Sequence, residues 1–564
     1  MKKIFMMLTV ALVAFACNKG GEQEPEIPGV KLTSEKYVAL PDGGTTHLSF
    51  KSTSDWVAMV AISAEFTEYV TVTPTSGKAG DDCKVTIVAD DMPDGCVGRV
   101  FSVQIVPVDK TESATAYFGQ GKFFVGIPET GDTVGIEGGK VSYHIFTNCK
   151  SFDVRKYDGP GEAFPFAPVT WDEATMTVTM DFQPNNTYDE REAYVKFFNI
   201  NEIEEDYTVR TYGYQDAVPC IVYSINMADA KVDILNASVL SEAVYNGNHY
   251  VSTGKELYKI NPADGKYEKI AWPWGNGMTQ KVITNDDAGN LIVCNHTAYT
   301  GDAYVDGYFI LNVVTPAGAE TNLITKAAWE CGGPAGAKIK VTGDVTNNAM
   351  ICLPVEGIEG IGMSNTLGYW QVTGGTVGNY VSVAVTGFVG PTWGAGYWHT
   401  YANWLPNVVA VGTTPEGGFV MSGVYDENCL YDVAKDGAAT KKMTSTYICG
   451  TDDCTANFAL QSIDIRTIGG VKYLVVLASP QFPSWGWDGS SFPIVALHKV
   501  ADLKSDSDAF ATANFCKVFP SQGAVDIMPA GEIALYEDGG NVGILYSDLN
   551  GGCVAAVSLD PKTL

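Results

Sequence analysis

The sequence predicts an all-β protein: two immunoglobulin-like β-sandwiches followed by a β-propeller of about six to seven blades. Three observations predict it. First, residues 218–564 repeat one segment pattern at spacings of about 40–65 residues, a length that marks bladed architectures. An apolar strand runs into a Gly/Asp/Asn turn, then a second apolar strand, then a third, at residues 242–260, 280–313, 337–372, 407–433, 460–500 and 523–559. Second, residues 30–217 break into short strands with frequent turn signals, the spacing of a sandwich. Third, the chain holds 60 Gly and 28 Tyr and few amphipathic helical segments, which favours strands.

Within the repeats, near-equivalent hairpins recur. Residues 282–294 (VITNDDAGNLIVC), 408–421 (VVAVGTTPEGGFVM), 463–476 (IDIRTIGGVKYLVV) and 525–536 (VDIMPAGEIALY) each set apolar runs around a turn. Residues 213–217 mark the boundary before the propeller. Residues 218–225 are expected to supply the closing strand of the last blade, because an unpaired sheet edge leaves backbone donors and acceptors open.

At 564 residues the chain exceeds a single core, and two to four domains are expected. The first sixteen residues read as a targeting segment: Lys2 and Lys3, an apolar run over 4–14, then Ala14, Phe15, Ala16 and Cys17. Small residues before a Cys resemble a bacterial lipobox. That resemblance implies a signal peptide over 1–16, lipidation of Cys17 as the mature N-terminus, and a flexible polar tether over 17–29. Asn18 is not the Asp that commonly retains lipoproteins at the inner membrane, so the address expected is the outer membrane, facing outward.

Formal charge is −29, and −31 once Lys2 and Lys3 are removed. Such a surface repels nucleic acid and anionic lipid. Residues 218–564 carry 33 acids against 18 bases, with Arg466 as the only arginine. Of the 13 Cys, most lie in apolar strand contexts and read as buried thiols. The closest pair, Cys449 and Cys454, has the spacing of a small disulfide loop, but nothing requires one.

The first sandwich is expected over 30–112. Its phrase Ser54-Asp55-Trp56, then Val72-Thr73-Pro74-Thr75-Ser76-Gly77-Lys78-Ala79-Gly80-Asp81, Val85-Thr86-Ile87 and Arg99 resembles the BACON family of Bacteroidetes sandwiches. Residues 113–217 look like a divergent second copy, with Phe152 where the first has Trp56. The resemblance implies the fold, and many copies in that family act as spacers. Trp56 is expected in the core, and Arg191 beside neighbouring acids on a strand surface. Asp132-Thr133-Val134 resembles a short O-glycosylation acceptor of these bacteria.

Catalytic signatures do not emerge. There is no HExxH, and the six His share no metal spacing; no GxSxG or phosphate loop occurs. Asp344, Asp464 and Asp526 occupy comparable first-strand positions and read either as an acid cluster or as turn and ladder residues. Asp286-Asp287 and Asp452-Asp453 lack the alternating spacing of a calcium loop and read as turns. No metal or cofactor is expected. A glycosidase needs two carboxylates at a set separation, and an enzyme for anionic glycans would need more arginine than Arg466.

The informative feature is aromatic. Nine of the 11 Trp follow residue 218, and seven of them fall in three Gly/Pro-rich groups. The expected glycan-binding residues are Trp272 and Trp274; Trp393, Tyr397, Trp398, His399 and Trp404; and Trp485, Trp487 and Asp488. Exposed aromatic patches mark binding surfaces, whereas the same Trp sealed between blades would be core. The combination of lipobox, sandwich phrases and aromatic loops resembles surface glycan-binding lipoproteins of Bacteroidetes polysaccharide-utilisation systems. It implies a glycan, a lipid anchor and other proteins of such a system as partners, with no nucleic acid. The rivals are a glycoside hydrolase or lyase using inner-strand acids, and a protein-interaction platform.

Overall fold

The computed structural model describes residues 28–564 apart from 41, 92–97, 122–123, 127–132, 149–151, 156–163, 200–208, 228–239, 296–298, 301–302, 305–307, 328–335, 356–365, 388–405, 423–428, 445–457, 481–492, 506, 509, 511, 520–530 and 549–551. The fold is all-β, and the only helical segments among the described residues are short 3-10 turns. Among these residues no helix is long and apolar enough to cross a membrane. The chain divides into two compact units: residues 1–186 with 190–217, and residues 187–189 with 218–564.

The first unit opens with a two-sheet sandwich. One sheet orders Val30–Leu32, Gly44–Ser52, Gly80–Ala89 and Val70–Thr73; the other orders Tyr37–Leu40, Ala114–Gly121, Gly98–Pro107, Trp56–Ala61 and Ser76–Gly77. Along Gly98–Pro107 every second residue is buried, the period of a strand with one face on a core. Leu48, Phe50, Val85 and Ile87 of one sheet meet Trp56, Phe101, Val103 and Phe118 of the other. The sandwich runs to Gly121, past the expected boundary at Glu112. Residues 108–113 form a hairpin connection, with Ile105 paired to Ala114.

Trp56 is core. Its ring sits edge-on to Phe50 at 4.9 Å, and its indole N–H donates to the Lys78 carbonyl at 3.0 Å. The indole fills the space over Gly77, where an added Cβ would lie 2.3 Å from the ring. Gly77→Ala is therefore expected to cost about 1–3 kcal/mol by overpacking, read as a lower urea midpoint.

The second sandwich of this unit pairs Gly139–His144, Thr177–Phe182 and Val169–Asp172 in one sheet, and Thr133–Val134, Val209–Gln215, Arg191–Asn199 and Phe152–Arg155 in the other. Val141, Tyr143, Val178, Met180, Ala193 and Val195 share its core. Arg191 differs from expectation. Its guanidinium lies over the Phe166 ring at 5.1 Å and donates to the Pro184 carbonyl at 3.4 Å, an arrangement that suits a planar, weakly hydrated cation.

Among the described residues the second unit contains six main sheets, antiparallel except where Ser507–Asp508 joins Ala439–Thr444 in parallel. Five follow chain order, starting from Ser241–Tyr245, Lys281–Asn285, Lys340–Gly343, Asn407–Ala410 and Phe458–Ile468. The sixth takes Gly531–Asp538, Asn541–Asp548 and Cys553–Leu559, and its fourth strand is Ile221–Asn226 from the other end of the unit. Each first strand packs beside the first strand of the next sheet, and Gly531–Asp538 packs beside Ser241–Tyr245. The core is six apolar layers, one between each neighbouring pair of sheets, including the sixth and the first. Second strands such as Leu291–Asn295, Ala349–Pro354 and Phe419–Ser422 are buried along their whole length, and they read as near-continuous apolar runs rather than alternating ones.

Three of the expected hairpins pair as read: Val282 opposite Cys294, Val408 opposite Met421 and Ile463 opposite Val476. The expected hairpin at 525–536 falls partly outside the described residues. Gly531–Asp538 is a first strand that pairs forward with Asn541–Asp548, while residues 525–530 lie outside the described set. Gly539 and Gly540, at φ 57° and 97°, supply the two left-handed positions that a two-residue hairpin turn requires.

Candidate functional site: buried inner-strand charges and aromatic loops

The first strands of the second unit bring polar side chains together in an interior otherwise built of Val, Ile and Leu. Lys340 Nζ pairs with Glu532 Oε1, donates to Ser462 Oγ at 3.2 Å and donates to the Ile533 carbonyl at 3.1 Å. Ser462 Oγ donates to the same Glu532 oxygen. Lys338 Nζ donates to the Gln461 carbonyl at 2.9 Å, and Asn407 Nδ2 donates to that carbonyl at 3.0 Å. Glu242 is also buried. Burial pushes its carboxyl well above the usual range, and the Glu532 charge pushes the same way, so the neutral acid is favoured there. Burial pulls Lys338 down to about 8, against the opposing pull of Glu532.

Three sheets therefore meet at one ammonium. Buried charges are tolerated when paired and hydrogen-bonded, and Lys340 and Glu532 meet that condition through each other. Sequence reasoning missed them because it searched for acids alone. A usable signal existed: Lys338-Ile339-Lys340-Val341 places two lysines inside an apolar run, where a solvated lysine has no reason to be.

The sequence-predicted acids fall at a second cluster. Asp286 Oδ1 accepts the backbone N–H of Ala288 at 3.0 Å and of Asn290 at 2.8 Å, and Oδ2 accepts Val345 N–H at 2.9 Å. Asp287 Oδ2 accepts Gly343 N–H at 2.7 Å, and Oδ1 meets Arg466 Nη1 at 3.0 Å. Arg466 Nε lies 3.3 Å from Asp464 Oδ2, which also accepts Leu535 N–H at 2.9 Å. Burial draws the Arg466 pKa down, but the carboxylates of Asp464 and Asp287 more than offset it, and the net direction is up. Asp344 is a turn residue: its Oδ1 accepts Thr346 N–H at 2.8 Å and Thr346 Oγ1 at 2.7 Å.

Asp286, Asp287 and Asp464 thus clamp one sheet to the next, and Asp344 shapes a turn. Among the described residues no group of three or more His, Cys, Asp or Glu is arranged to hold a metal. Asp526, Asp426, Asp452 and Asp453 lie outside the described residues.

Of the aromatic candidates, Trp272 and Trp274 are described, on the connection between Tyr267–Ile270 and Lys281–Asn285. Both are half-buried against the layer between the first two sheets. The Trp272 N–H donates to the Lys255 carbonyl at 2.9 Å, and the Lys281 ammonium lies 5.0 Å from its ring centre. Trp274 stands edge-on to Tyr245 and Tyr250, each at 5.5 Å. Asn276 beside them is exposed. Trp393, Tyr397, Trp398, His399, Trp404, Trp485, Trp487 and Asp488 lie outside the described residues, as do Cys17, Cys449, Cys454, Asp132, His296 and Asn403. Cys83, Cys220, Cys294, Cys352, Cys429, Cys516 and Cys553 are free thiols, and all but Cys516 are buried.

Among solved structures, the titin fragment I67-I69 in an E-to-A mutated variant is 7% identical, covering 64% of this chain and 98% of that one, with a TM-score of 0.15. Titin domains z1z2 in complex with telethonin are 10% identical, covering 34% of this chain and 96% of that one, at 0.14. The endo-fucoidan hydrolase MfFcnA9 of glycoside hydrolase family 107 is 9% identical, covering 34% of each chain, at 0.13. At such scores these likenesses carry neither fold nor function to this chain. No curated protein matches it. The family described as a domain of unknown function, DUF8500, matches residues 271–560. That span starts beside Trp272, runs through the second to sixth sheets and takes in half of the chain, which therefore belongs to the DUF8500 family.

Proposed function

We propose that the protein is an outer-membrane surface lipoprotein, anchored through Cys17, whose second unit is a six-bladed β-propeller that binds a neutral or weakly charged glycan through its aromatic loops. Support for the propeller comes from six sheets whose first strands lie side by side, and from Ile221–Asn226 completing the last sheet. Under this reading the two sandwiches are immunoglobulin-like modules of the BACON type, and other polysaccharide-utilisation proteins are its partners.

The observation that carries glycan binding is the Trp272 loop. Its indole is fixed through the N–H and beneath a lysine ammonium, yet stays only half-buried. A rigid, partly open aromatic plane suits the apolar C–H face of a sugar ring and loses little freedom on binding. The hydrolase reading is weakened because Asp344 and Asp464 are already committed to internal partners.

The test is a glycan array with mature protein lacking Cys17, repeated with Trp272→Ala, Trp398→Ala and Trp485→Ala. Wild type is expected to bind a neutral glycan with little salt dependence, since few ion pairs are available. At least one variant should bind tenfold or more weakly. Absence of any glycan signal, together with a co-purifying protein partner, would replace this reading with the interaction platform.

A further inference from the structure

Lys338 ends the 3-10 turn Gly336–Lys338, just ahead of the first strand of the third sheet. It is 4% exposed. Among the described residues its ammonium has no carboxylate at ion-pair distance, and one of its three N–H donors is used, on the Gln461 carbonyl. The charged groups that act on it are Glu532 and Lys340. Glu532 is already paired with Lys340, so two ammoniums share one ionised carboxylate. Asp464 is paired with Arg466, and burial favours the neutral form of Glu242. Buried charge is ordinarily matched by a partner, and Lys338 is not.

Hydrogen-bonding capacity is left over at the same end of the first strands. Among the described residues, Gln461 Nε2 and Oε1, Asn407 Oδ1, Ser547 Oγ and both carboxyl oxygens of Glu242 have no hydrogen-bond partner. None of these four residues is more than 3% exposed. They are linked through shared neighbours. The Gln461 carbonyl that receives Lys338 also receives Asn407. Gln461 Oε1 lies against Gly531, where an added Cβ would sit 2.2 Å from it. Ser547 stands opposite Glu532 on the next strand, and its hydroxyl acts on Glu242 without meeting hydrogen-bond geometry. Native interiors seldom leave such atoms unmatched.

We infer that this cluster is a binding site for a small monovalent anion, a halide or a carboxylate, held by Lys338 and Gln461 Nε2 and separate from the aromatic loops. The anion supplies the counter-charge that Lys338 lacks and accepts from the donors left over. The protonated carboxyl of Glu242 and the hydroxyl of Ser547 extend that donor set. A water beside the ion serves the acceptors Gln461 Oε1 and Asn407 Oδ1. A divalent cation would face two ammoniums and find Glu532 already engaged by Lys340. Large polyanions are disfavoured by the formal charge of −29 and by the burial of every side chain at the site.

The test is calorimetry of the mature protein lacking Cys17 at fixed ionic strength, with sodium isethionate replaced stepwise by sodium chloride, bromide, formate or acetate. At least one of these anions is expected to raise the thermal midpoint of the second unit by about 2 °C or more along a saturating curve, as a ligand held only by the folded state does. A response to the halides assigns the site to chloride, and a response to formate or acetate assigns it to a carboxylate. Gln461→Glu keeps the side-chain length and places a carboxylate beside Lys338, so it should fold and lose the response. Lys338→Met removes the charge and should lose it too. Equal midpoints in isethionate and all four anions, a rise that never saturates, or a response that persists in either variant overturns the inference.

Discussion

Lys340→Met is expected to cost about 3–5 kcal/mol, the penalty for removing one partner of a buried ion pair. In a unit of this size that is a fall in thermal midpoint on the order of 10 °C, measurable by calorimetry. Lys340 holds Glu532, Ser462 and the Ile533 carbonyl from a strand 192 residues away in sequence from Glu532. Methionine fills similar volume but leaves the carboxylate with only Ser462 Oγ and its neighbour's backbone N–H. The companion variant Lys340→Met/Glu532→Leu removes both charges and should recover most of the loss, because paired replacement of buried ions by apolar groups is often neutral or better. If Lys340→Met unfolds within 1 °C of wild type, the pair does not hold the first strands together as described.

Acidification should weaken the second unit by about 3 kcal/mol through His249 alone. The imidazole is buried, shares a 2.6 Å hydrogen bond with Tyr223 Oη and lies edge-on to Tyr536 at 4.9 Å. Burial pulls its pKa from 6.5 down to about 4, against the opposing pull of Asp538. The unfolded chain therefore takes up the proton first as pH falls. The stability contributed by neutral His249 is complete above about pH 6.5 and is lost progressively toward about pH 4. A difference of about 2.5 pH units at 1.36 kcal/mol each gives the figure. Glu242 has the opposite sign, since its raised pKa contributes stability at low pH that is lost as pH rises. The His249 contribution is isolated by comparing wild type with His249→Phe in urea at pH 7 and pH 4. Wild type should lose about 3 kcal/mol more than the variant; equal losses would mean that His249 is not buried as a neutral ring.

What the sequence disclosed follows from what is local. Pairings such as Val408 with Met421 and Ile463 with Val476 join apolar runs across a short turn, and a turn is written in adjacent residues. Trp56 was read as core from the sandwich resemblance, and its indole fills the space over Gly77. The boundary at Glu112 fell short because nothing local shows that Ala114–Gly121 pairs back onto Gly98–Pro107. The buried lysines were legible as two charges inside an apolar run, but the partner of Lys340 was out of reach. No pattern within a repeat says which distant strand will face Lys340, and only assembly of the sheets decides it.

The strand Ile221–Asn226 has a consequence for when the molecule can finish folding. Ile221 pairs with Val557, a separation of 336 residues (557 − 221), so this hydrogen-bonded ladder cannot form until nearly all of the intervening polypeptide has emerged. Long-range pairing of this kind delays the rate-limiting step. Until Cys553–Leu559 is made, Ile221–Asn226 waits without its partner strand, and the sixth sheet stays open at that edge.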